Sequence, residues 1–143
     1  MQRVYLKKMT KQDIEKSVSI CTESVESFWG VSLADAGEYT NIKICSIDNP
    51  SYCPDGISIH KGNRGLKDWR ITGKEFKNLY SHRHPEVGDI MCDTKDSDKF
   101  IISIIKAADS EYAFLSPFFK DLDNYAIINL EDLHNIGSCF LQR

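Results

Sequence analysis

The stretch Trp69-Arg70-Ile71-Thr72-Gly73-Lys74-Glu75-Phe76, followed after a short spacer by Glu86-Val87-Gly88-Asp89-Ile90-Met91, decides the fold. Trp69 to Thr72 alternates apolar and polar side chains, as a half-buried strand does. Thr72 stands three residues before Glu75, which predicts a capped helix over 72–80 with Phe76, Leu79 and Tyr80 on its apolar face. Val87 to Cys92 reads as the next strand. Elements of this size recur along the whole chain. Upstream, Val4 to Met9 is a β-rich opening strand, Thr10 to Lys16 a polar loop or single helical turn, and Val18 to Cys21 a half-buried strand. Thr22 to Trp29 carries a helical stripe at Val25, Phe28 and Trp29, closed by Gly30. Asn41 to Ile47 alternates strictly and turns at Asp48-Asn49-Pro50, and Gly56 to His60 is another short strand. Downstream, Phe100 to Ile105 is a buried strand after a turn at Lys95 to Asp98, and the tail adds the apolar segments 112–115 and 125–130. Many short strands with two short helices predict a mainly β chain built as a small barrel or pseudobarrel.

The 143 residues suit one domain, and 41% hydrophobic with 27% charged residues is an ordinary globular composition. The longest apolar run, 100–105, is strand-sized and excludes a membrane-spanning helix. The first residues hold no apolar signal core. The cysteines at 21, 45, 53, 92 and 139 are odd in number, scattered and free of any CxxC pair, so reduced thiols in a cytoplasmic protein are expected.

The net charge of −3 conceals a partition. Residues 1–16 carry +3, 17–59 carry −5, 60–83 carry +5 and 84–143 carry −6. Two basic blocks in an acidic chain make a local positive field, which fits either a polyanion-binding face or two solvated loops.

The order of these elements resembles a known family. The stretch 69–76 followed by 86–91 looks like the second half of the plant B-three DNA-binding domain, in which a tryptophan-bearing strand, a helix with a Phe anchor and a Gly-Asp strand start follow one another. Tyr5 to Asp13, Val18 to Ile20 and the helix after them resemble that family's opening strand, first arm and first helix. Similar bacterial domains are the recognition domains of EcoRII-type and McrBC-type restriction systems, where a Gly-x-x-Arg stretch leads into an Arg-Ile-Thr strand. Gly62-Asn63-Arg64 and Arg70-Ile71-Thr72 stand in that order here. The first arm is shorter than is usual there, and Lys74 follows Gly73 where plant members have Trp.

The resemblance implies a seven-stranded open pseudobarrel whose two arms, near 11–17 and 60–70, enter the major groove of duplex DNA. Both arms fall on the basic blocks. It also implies a recognition domain without catalysis of its own, working with a nuclease or NTPase region or subunit, and with no cofactor or metal.

Arg, Asn and Gln read base edges in the major groove through paired hydrogen bonds, while Lys suits phosphate. Arg64 is therefore the expected guanine contact and Asn63 the adenine contact, with Asp68, Gln12 and Ser17 as further base contacts. Asp68 has an alternative task, orienting Arg64 or Arg70. Lys8, Lys11, Lys16, Lys61, Lys67 and Arg70 are the expected phosphate contacts. Pro54-Asp55 with Glu75-Phe76-Lys77 formally matches the PD…ExK pattern of metal-dependent nucleases, which keeps an enzyme reading alongside. An RNA-binding or protein-binding barrel is the other alternative.

Overall fold

The computed structural model describes residues 2–35, 38–62, 68–120 and 123–133. Among the described residues, nine strands form two open sheets. The strands are β1 (Arg3–Lys8), β2 (Val18–Ile20), β3 (Thr40–Asn41), β4 (Ile44–Ser46), β5 (Ser58–Lys61), β6 (Trp69–Thr72), β7 (Ile90–Asp96), β8 (Lys99–Ile105) and β9 (Tyr125–Asn129). The larger sheet runs β4-β8-β7-β1-β9 and the smaller β2-β6-β5-β3. Pairing is antiparallel except where β4 lies parallel to β8, Ile44 beside Phe100.

The main core lies between the sheets. Tyr5, Met91, Ile102 and Ile104 from the larger sheet meet Val18, Ile20, Ile59, Trp69 and Ile71 from the smaller, with Val25, Phe28 and Trp29 joining them. Val4, Leu6, Ile90, Cys92, Ile105 and Ile128 point the other way and are covered by Leu115 and Phe119. The larger sheet is thus buried on both faces, which is why β1 and β8 read as nearly continuous apolar runs.

The architecture is mainly β with open sheets, consistent with a β-rich pseudobarrel, but with nine strands rather than seven. One of the two extra strands, at 40–46, has a physical cause. Thr40–Asn41 pairs with β5 in the small sheet, whereas Ile44–Ser46 pairs with β8 in the large one. Alternation continues while the chain changes sheets, so the pattern looks like one strand. The helices also differ from expectation, since three short ones occur: α1 (Lys11–Glu15), α2 (Thr22–Ser27) and α3 (Tyr112–Leu115).

The helix expected over 72–80 is absent. Thr72 ends β6 opposite Ser58, and Gly73 follows with φ +138°, outside the helical range. A Cβ at Gly73 would come within 2.5 Å of the Gly56 carbonyl oxygen, so the backbones touch where a cap would have to form. Two 3₁₀ turns, 77–79 and 81–83, take the helix's place and still bury Phe76, Leu79 and Tyr80. The Gly88-Asp89 pair has a structural task at the start of β7. Asp89 accepts from the backbone N–H groups of Glu86 (2.8 Å) and Ala107 (3.1 Å) and from Lys106 Nζ (2.5 Å). The cysteines among the described residues are free thiols. No described helix is long and apolar enough to cross a membrane.

Candidate nucleic-acid interface

The first arm is α1 with its flanking turns, between β1 and β2. Thr10 is its N-cap: its hydroxyl accepts from the Asp13 N–H at 3.3 Å, and Asp13 accepts from the Thr10 N–H at 2.9 Å. Such reciprocal capping stabilises a helix too short to persist alone. Asp13 is fully buried and also accepts from Lys7 Nζ (3.0 Å) and the Ser19 N–H (3.1 Å). Lys7, itself buried, donates further to the Ser19 carbonyl and hydroxyl, each at 2.5 Å. Burial pushes the Lys7 ammonium below its ordinary pKa, and Asp13 opposes that shift. At the other end of α1, Lys77 Nζ donates to the Ile14 carbonyl at 2.5 Å, a cation at the helix C-terminus where it is favoured.

The second arm is the β5–β6 hairpin. Its last described residues close on each other, with the Gly62 N–H donating to the Asp68 carbonyl at 2.5 Å. A Cβ on Gly62 would meet the Asp68 carboxylate, so any side chain there would have to displace that group. Asn63, Arg64 and Lys67 lie outside the described residues.

Strand β2 pairs antiparallel with β6, Ser19 beside Arg70, so the two arms lead into neighbouring strands. Arg70 ties them together. Its Nε donates to Asp68 Oδ1 at 2.8 Å, and Nη1 donates to Ser17 Oγ at 3.1 Å. With its amide oxygen turned to the guanidinium, Gln12 accepts from Nη1 at 2.7 Å and from Nη2 at 2.5 Å. Four of the expected contact residues, Gln12, Ser17, Asp68 and Arg70, are therefore one cluster. Asp68 orients Arg70, one of the two tasks open to it from sequence. Arg70, expected on phosphate, spends these donors within the protein.

The lysines divide. Lys11 and Lys16 are exposed on the first arm, Lys11 only loosely paired with Glu15 at 3.9 Å, and Lys61 is half-buried at the root of the second. Lys8 sits elsewhere: its ammonium lies 5.1 Å over the Phe119 ring, on the sheet face opposite Lys7. Of the residues in the nuclease pattern, Lys77 is turned to α1, and Glu75 accepts from Asn78 Nδ2 at 3.2 Å. No group of three metal-ligating side chains occurs among the described residues.

Sequence reasoning missed the buried Lys7–Asp13–Ser19 network under the first arm. The Thr10-x-x-Asp13 spacing was its signal, a capping box with Asp in place of the usual Glu. It also missed Tyr39, which lies flat on His60 at the edge of the same face.

Two packed open sheets with few short helices are consistent with a β-rich pseudobarrel. This chain is similar in fold to a solved structure, the N-terminal domain of Helicobacter pylori LlaJI.R1, with a TM-score of 0.69. The match covers 88% of this chain and 97% of that one at 21% identity. No protein-family model matches the chain, and no curated protein matches it.

Proposed function

We propose that this chain is the duplex-DNA recognition domain of a bacterial restriction system, reading sequence through two arms in the major groove. The observation that carries the reading is the Arg70 cluster, which joins Gln12 and Ser17 at the first basic block to Asp68 in the second. Arm roots tied in one arrangement lose less ordering entropy on binding a rigid groove. The fold likeness to a domain of a restriction-system protein supports the same reading. Arg64 and Asn63 are assigned to bases, and Lys11, Lys16, Lys61 and Lys67 to phosphates. Cleavage belongs to a nuclease or NTPase region or subunit that acts with this one, in the cytoplasm.

The test is selection of binding sites from a random duplex library, repeated with a matched RNA duplex and with Mg²⁺. A recovered DNA consensus with no strand cleavage is expected. Equal binding of RNA, or no binding of either, would overturn the reading. Plasmid cleavage that depends on Mg²⁺ and is lost in Glu75→Gln would establish the nuclease alternative instead.

A further inference from the structure

The Tyr39 ring lies over the His60 imidazole with centroids 4.3 Å apart and planes 20° from parallel. Strand register explains the position. His60 stands opposite Arg70, Arg70 stands opposite Ser19, and Tyr39 immediately precedes Thr40, which pairs with Ile59. Ile59, Trp69 and Ile71 alternate into the core, so Ser19, Arg70, His60 and Tyr39 form a row across the outer face of the small sheet. That row begins at the base of the first arm, crosses the root of the second and ends on an aromatic stack.

The two rings have different situations. His60 is the support. Its Nδ1 is buried with no hydrogen-bond partner, and burial, reinforced by Arg70, lowers its pKa. The ring is therefore neutral at pH 7 and stacks without bringing a charge of its own. Tyr39 is 66% exposed, with one face on His60 and much of the ring in the open. A large aromatic left exposed at the end of this row offers the open ring face of a nucleobase platform, since bases stack on aromatic side chains whatever their sequence.

The geometry narrows the ligand. An intact duplex presents base edges and methyl groups to a protein in its grooves, and keeps base faces within the stack. A flat aromatic face is complementary to another ring's face, and a base offers its face only after leaving the helix. We infer that Tyr39, backed by His60, is a stacking platform for one nucleobase extruded from the duplex that the arms hold. This rests on the duplex-DNA reading above and adds a subsite to it.

The test uses the full chain and two probes: a fully paired duplex, and the same duplex carrying one unpaired 2-aminopurine, whose fluorescence falls when it stacks. Wild type and Tyr39→Phe should bind the bulged duplex more tightly than the paired one, by roughly 5- to 150-fold, the range of one base–aromatic stack. Both should quench the probe. Tyr39→Ala should bind the paired duplex as wild type does, yet lose the preference and the quenching. Tyr39 is a surface residue, and a thermal melt matching wild type confirms that the variant folds. Equal binding of the two duplexes by wild type, or a preference that survives Tyr39→Ala, overturns the platform and leaves duplex binding standing. Failure to bind either duplex overturns both.

Discussion

Replacing Arg70 with Ala separates two tasks that look alike in a sequence. A phosphate contact on a solvated arm contributes little to folding, and its loss makes the salt dependence of DNA binding shallower by about one unit. A tie between arms behaves in the opposite way. The Arg70 and Asp68 side chains are only 14% and 13% exposed, and the guanidinium also holds Ser17 and Gln12. Removing one partner of a fully buried ion pair costs about 3–5 kcal/mol. The remaining solvent access at this pair reduces that to roughly 2–4 kcal/mol. For a chain of this size the melting temperature should fall by about 6–12 °C. Arg70→Lys should recover little, because an ammonium cannot reach Asp68, Ser17 and Gln12 at once as the planar fork does. Calorimetric melts and DNA titrations at several salt concentrations give both readouts. A double-mutant cycle with Ser17→Ala should show a coupling of about 0.5–3 kcal/mol. An unchanged melt together with a shallower salt slope would refute the tie and return Arg70 to the phosphates.

Three further outcomes are expected. With Lys11, Lys16, Lys61 and Lys67 on phosphates, log K against log[salt] should have a slope of about −3.6, and a slope near zero would remove the electrostatic basis of binding. Arg64→Ala should cost roughly 1–3 kcal/mol on the selected duplex and much less on a scrambled one, whereas equal losses would make Arg64 a phosphate clamp. The buried, unpartnered carboxyl of Asp93, whose pKa burial raises well above its ordinary value, keeps its proton in the fold and loses it on unfolding. Its contribution is therefore whole below the unfolded pKa of about 3.9 and declines above it, by at most about 1.4 kcal/mol per pH unit. Denaturant titrations across pH should show a flatter stability profile in Asp93→Asn than in wild type, and identical profiles would place the pH dependence elsewhere.

The strands that build the core were legible because their side chains alternate, or run apolar where both faces are covered. Two sites misled for local reasons. At Thr72-Gly73 a capping pattern is overridden by backbone contact with Gly56, a partner some seventeen positions earlier that no local window contains. At 40–46 a change of sheet leaves the alternation undisturbed. The candidate interface was legible in part: an Asp68–Arg70 pairing was among the tasks expected of Asp68, and hydrogen bonds join it to Gln12 and Ser17 at the first basic block. Its underside was not. Lys7 and Asp13 are six residues apart on different elements, and a buried ion pair of that kind follows from the path of the chain rather than from periodicity. Tyr39 lies beside a two-residue strand with too little pattern around it to signal exposure.

Charge counting overstates what the two basic blocks offer to a polyanion. In the basic block 60–83, Arg70 is tied to Asp68, Lys77 to the Ile14 carbonyl, and Arg83 to Asp109 and the Ile104 carbonyl. In the block 1–16, Lys7 is neutralised by Asp13 inside the protein. Lys11, Lys16 and Lys74 are exposed, and Lys61 is half-buried. The division follows side-chain chemistry. A planar guanidinium with donors in fixed directions is suited to join several acceptors in one geometry, which is the work of Arg70 and Arg83. An ammonium on a flexible stem is suited to follow phosphates whose positions differ from one sequence to the next. Among the described residues of the two blocks, the exposed lysines Lys11, Lys16 and Lys74 are then the cations open to a polyanion, while Arg70 and Arg83 join parts of the protein. Affinity on such a surface should respond to ionic strength while the spacing of the arms does not.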